Sequence, residues 1–122
     1  MKNSSEKKDL NFIGFINYLG GDETLAHEVL QMMVNELPHR YQEIIQAHNT
    51  KDWQQYKYFL DKLLDASASC GMEKIKLLSL ELYETDPQKD YFITSRHLES
   101  LHAAVHDAIK AASEVNIYPS NR

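Results

Sequence analysis

Two aspartates one helical turn apart, Asp61 and Asp65, sit in FLDKLLDASASCG (residues 59–71), a stretch that otherwise has the spacing of a buried helix. Side chains four apart share a helix face, so the pair reads first as part of a solvated face, where surface charge constrains a fold only weakly, and second as a magnesium site. Magnesium held by one or two carboxylates usually takes further ligands from substrate phosphates, and no glycine-rich phosphate loop accompanies these two. The six histidines, His27, His39, His48, His97, His102 and His106, are the other chemistry-bearing group. His102 and His106 are also one turn apart, but a metal centre needs three or four ligands, and most of the six read as surface or edge residues of helices. Cys70, the single cysteine, lies among small residues on an apolar stripe and reads as a buried, inert thiol. No Ser-His-Asp set or paired-cysteine motif is present. The expectation is a chain with no cofactor and no metal.

The elements that position these residues are helical. Only four glycines and three prolines punctuate 122 residues, and no Asn-Gly or Asp-Gly hairpin separates alternating runs. A short first helix is expected from Asp9 to Leu19, stopped by Gly20 and Gly21. Asp22 caps a long second helix whose stripe is Ala26, Val29, Leu30, Met33, Leu37, Tyr41, Ile44 and Ile45, with Pro38 inside it as a kink. Asp52 caps a third, with Trp53, Tyr56, Leu60, Leu63, Ser67 and Cys70 inward, closing at Gly71. Ile75, Leu78 and Leu82 mark a fourth, and Thr94, Leu98, Leu101, Val105, Ala108, Ile109 and Ala112 a fifth. The fold class expected is all-α: an antiparallel four-helix bundle with an additional short N-terminal helix, spanning residues 9–115 between a flexible N-terminus (1–8) and a flexible tail (116–122).

Composition narrows the function classes. A net charge of -5, with thirteen basic residues scattered among eighteen acidic ones, lacks the basic patch of a nucleic-acid binder. No apolar run approaches the roughly 20 residues a membrane span requires, and the start MKNSSEKKDL lacks the apolar core of a secretory signal. A cytoplasmic protein is expected, with partners that are neither nucleic acid nor membrane.

On a wheel of 3.6 residues per turn, Asp61 faces away from the Trp53/Tyr56/Leu60/Leu63 line and shares an exposed stripe with Tyr58, Leu64, Asp65 and Ala68. A helical bundle whose third helix opens with Asp-Trp, carries a central exposed site and closes in small residues and glycine resembles the histidine-containing phosphotransfer (HPt) domain. The resemblance is carried by LAHEVLQMMVNELPHRYQEI, DWQQYKYFLDKLLDASASCGMEKIKLLSLELYE and HLESLHAAVHDAI. The Cys-Gly-Met ending is most similar to the HPt modules at the C-terminus of BarA-type hybrid sensor kinases.

The resemblance implies a histidine on that stripe, followed three residues later by a basic or polar residue, then by glycine and a small residue. Here Asp61 fills the histidine slot, Leu64 the basic slot and Asp65 the glycine slot, while Ala66 keeps the small one. Relay needs an exposed imidazole that attacks an acyl phosphate and holds the group as a labile N–P bond. A lone carboxylate without acid pocket or metal is not such a site. The resemblance therefore implies a non-catalytic protein, a pseudo-HPt, that docks a response-regulator receiver domain or a hybrid sensor kinase through Tyr58, Asp61, Lys62, Leu64, Asp65 and Ala68. Beside it stand relay through another histidine, recruitment of the scaffold to an unrelated partner, and an engineered Asp61 in an active domain. Leu64 and Asp65 count against the last.

Overall fold

The computed structural model describes residues 12–115; the expected loose ends, 1–8 and 116–122, and the first turn expected for the first helix lie outside them. Five helices follow in order: α1 (Phe12–Tyr18), α2 (Glu23–Asn49), α3 (Trp53–Cys70), α4 (Glu73–Glu84) and α5 (Tyr91–Val115). No strand occurs among the described residues. Helices α2 to α5 form the antiparallel bundle, each packed on its sequence neighbour and α5 closing back on α2, while α1 rests on α2 and α3.

The boundaries have local causes. Gly20 and Gly21 take positive φ (76° and 85°), which lets the chain turn out of α1 while Gly21 N–H donates to the Ile16 carbonyl at 2.9 Å. Asp22 then accepts from the Leu25 amide at 2.9 Å and starts α2. Pro38 does not end that helix, which runs on to Asn49. An interior proline costs about 3 kcal/mol, whereas each large side chain buried beyond it on the same stripe returns about 1.5–3 kcal/mol. Ile44 is fully buried, with Ala47 and His48 behind it.

Asp52 accepts from the Gln55 amide at 3.3 Å to open α3, and Gly71 closes it in the left-handed region (φ 73°), with Met72 N–H donating to the Ser67 carbonyl at 2.9 Å. Asp52→Ala, which removes only the cap, is expected to lower unfolding free energy by about 1 kcal/mol in a urea titration. An unchanged midpoint would mean that Trp53 and the preceding turn fix the start of α3 without it.

One core runs the length of the bundle: Leu30, Leu37 and Ile44 from α2, Tyr56, Leu60 and Leu63 from α3, Ile75 and Leu82 from α4, and Leu101 and Val105 from α5. Two expected members, Met33 and Leu78, lie half-buried at its margin. In α4 the inward place belongs to Ser79, because leucines at 77, 78, 80 and 82 surround the helix and only Leu82 of the four is fully inside.

His48 departs from the surface position expected of most histidines. It is 5% exposed, with ring centroids 5.6 Å from Trp53, 5.8 Å from Tyr56 and 5.3 Å from Tyr91. It ends α2 where the first turns of α3 and α5 converge, a tertiary placement that periodicity within α2 does not reveal. His39, His102 and His106 are exposed, and His27 and His97 half-buried.

Candidate functional site

The inward line of α3 is fully buried from Tyr56 through Leu60 and Leu63 to Ser67 and Cys70, and this fixes which residues face outward. Asp61, Lys62, Asp65 and Ala68 are exposed, Tyr58 is 54% exposed, and Leu64 is half-buried beside them. The structure thus brings the expected stripe together on one surface. Ser69 turns its hydroxyl back onto the helix, donating to the Asp65 carbonyl at 3.0 Å, so this end of the stripe presents little beyond small side chains.

The electrostatics are those of two solvated carboxylates. Neither Asp61 nor Asp65 has an ion pair or a side-chain hydrogen bond among the described residues. The nearby lysines of α3 are drawn to rings instead: Lys62 Nζ lies 5.2 Å from the Tyr58 centroid and Lys57 Nζ 4.7 Å from that of Tyr83. Burial pushes the Cys70 thiol up to about 11, so on the inner side of the same helix it is no nucleophile at neutral pH.

Among the described residues no three histidine, cysteine, aspartate or glutamate side chains converge to hold a metal ion. His97 Nε2 lies 3.4 Å from Glu81, bridging α5 to α4, and the His102 ring packs 5.1 Å from Tyr41. Neither arrangement places an imidazole on the α3 stripe. No described helix is long and apolar enough to cross a membrane.

The helices adjoining α3 add exposed apolar residues that the sequence reading did not single out: Ile13 and Tyr18 on α1, Leu25 and Met32 on α2. The available signal was the seven-residue spacing of Leu25 and Met32, off the buried Ala26/Leu30 line.

The shape of this bundle has a solved counterpart. The chain superposes on the crystal structure of the HPt domain of a sensor hybrid histidine kinase from Shewanella with a TM-score of 0.74 at 21% identity, over 88% of this chain and 92% of that one. The chain has the HPt fold. No family model matches the sequence, and no curated protein matches it. The agreement is therefore one of architecture: the HPt fold is adopted here by a sequence whose outward α3 stripe reads Tyr58, Asp61, Leu64, Asp65, Ala68.

Proposed function

We propose that this chain is a non-catalytic HPt-like interaction protein of two-component signalling, which docks a response-regulator receiver domain or a hybrid sensor kinase in the cytoplasm without accepting phosphate. The observation that carries the reading is Asp61: an exposed carboxylate, unpaired among the described residues, midway along α3 of an HPt fold, in the slot where the family resemblance calls for histidine. A carboxylate there cannot form the N–P bond on which relay depends, and Asp65 fills with bulk and charge the space that glycine would leave. What remains is a surface with an apolar centre, Leu64 with Tyr58 and Ala68, rimmed by charge, the composition of a docking patch.

The chemical test is incubation with an active hybrid kinase and with a phosphorylated receiver. No acid-labile phosphate is expected on the chain. Stable labelling defeats the reading, and a label mapped to His97, His102 or His106 replaces it with relay from a displaced histidine.

Docking has its own expected result. Leu64→Ala should weaken receiver binding by about 1–2 kcal/mol, the usual cost of truncating an apolar anchor near an interface centre. A receiver's acidic, cation-holding site would meet Asp61 and Asp65 across the contact, so magnesium should strengthen the complex and Asp65→Gly should alter it. Calorimetry of the wild type and both variants, with and without magnesium, decides the matter. If binding persists and none of these changes affects it, the partner uses another face of the bundle.

A further inference from the structure

Helix α4 turns Ile75, Ser79 and Leu82 into the core, and its outer side carries two exposed leucines, Leu77 at 58% and Leu80 at 38%. With half-buried Leu78 and with Ser100 of α5 they line a shallow groove of about 570 Å³. Lys74 stands at one end of this groove, and Glu81 and Glu84 lie toward the other. Single surface leucines are ordinary, but adjoining ones rimmed by charge are the composition of a contact between proteins.

The charges of α4 indicate what fits there. Glu73 pairs with Lys76 at 3.2 Å, and Glu81 is drawn toward α5 by His97 at 3.4 Å. Lys74 and Glu84 are left without an ion pair among the described residues. At the rise of an α-helix they stand about 15 Å apart along the axis, too far to meet each other. Opposite in sign and placed at the two ends of one face, they make that face its own complement when a second copy is turned end over end. About a two-fold axis level with Ser79, Lys74 of each copy lies against Glu84 of the other, and Leu78 of each lies opposite Leu80 of the other. A foreign helix would have to match this spacing of charge, whereas a second copy carries it by construction.

We propose that this face joins two copies of the chain through an antiparallel α4–α4 contact, with Leu77 and Leu80 at its centre and a Lys74–Glu84 ion pair at each end. A helix of 12 residues is about 18 Å long. The contact is therefore small and the dimer weak, with a dissociation constant between about 10 µM and 1 mM. The surface shares no residue with the Asp61 stripe, and it stands or falls apart from the docking reading.

Sedimentation equilibrium of the chain between about 10 µM and 2 mM should show the weight-average mass rising from that of the monomer toward twice that value. Leu77→Ala should weaken association about tenfold, because both copies lose an anchor at the centre. Its circular dichroism should match the wild type, since Leu77 lies outside the core. Lys74→Glu and Glu84→Lys should each weaken association about tenfold, because every dimer then holds like charges at both ends. An equimolar mixture of these two variants should recover it, since a mixed dimer sets lysine against glutamate at each end. A chain that stays monomeric to about 2 mM overturns the proposal and leaves the groove to a different protein's helix or to solvent. A dimer indifferent to Leu77→Ala overturns it by placing the contact on another face. A mixture that associates no better than its separate components overturns it by breaking the Lys74–Glu84 pairing.

Discussion

Asp61→His combined with Leu64→Lys and Asp65→Gly is expected to give a chain that a phosphorylated receiver labels, where the wild type is expected to take no label. The position is already exposed on a regular helix, so a new imidazole there would meet solvent and an incoming partner. In the reaction the neutral imidazole nitrogen attacks phosphorus, the acyl P–O bond breaks with its electron pair leaving on the receiver carboxylate, and the imidazole sheds its proton as the N–P bond forms. Lysine at 64 restores positive charge beside the phosphoryl group, and glycine at 65 clears the approach. Glycine within a helix costs about 0.5–1 kcal/mol, which a bundle with this much buried core tolerates; circular dichroism checks that the variant folds. The expected label is acid-labile, and it is absent from the wild type and from Asp61→Asn. A folded triple variant that docks the receiver yet takes no label would show that more than this motif separates the chain from a working relay.

The second large effect sets two adjacent residues against each other. Leu60→Ala should cost about 2–5 kcal/mol of unfolding free energy, because Leu60 is fully buried among the helices of the bundle and its loss leaves a cavity. Asp61→Ala, one residue on, should change stability by no more than about 0.5 kcal/mol. Its sign should favour the variant, since alanine is the better helix former and a like-charge neighbour at i+4 is relieved. Chemical denaturation of both proteins measures the contrast. Comparable losses would mean that α3 is rotated about its axis from the orientation described.

The fold was legible because its signals are local. Asp22, Asp52, Gly20, Gly21 and Gly71 each act through hydrogen bonds or φ values within a few residues, and each stands where the sequence placed it. The stripe of α3 was equally readable: a polar outer side opposes a continuous apolar line, so periodicity has one solution. Helix α4 offered no such contrast, with leucines on nearly every side, and Ser79 rather than Leu78 proved to be the inward residue. The burial of His48 against Tyr91 was out of reach for a different reason. It joins the end of α2 to the start of α5 at one end of the bundle, a juxtaposition set by topology with no counterpart in local spacing. The role of the Asp61 stripe rests on the family resemblance, since an exposed carboxylate is chemically explicit and functionally silent.

The short joints on either side of α3 also govern the order in which the chain assembles. Only Thr50 to Asp52 separate α3 from α2, and only Gly71 and Met72 separate it from α4, with which it makes its most extensive packing. Small loops close at low entropic cost and early in folding. Contacts between α2 and α5, such as the Tyr41 hydroxyl donating to the Leu98 carbonyl at 3.2 Å, must wait for a far longer excursion of chain. Amides of α3 should therefore gain protection before those of α5 in pulsed hydrogen exchange. Substitutions on the inner face of the segment that bears Asp61 are then expected to slow folding, and those in α5 chiefly to hasten unfolding.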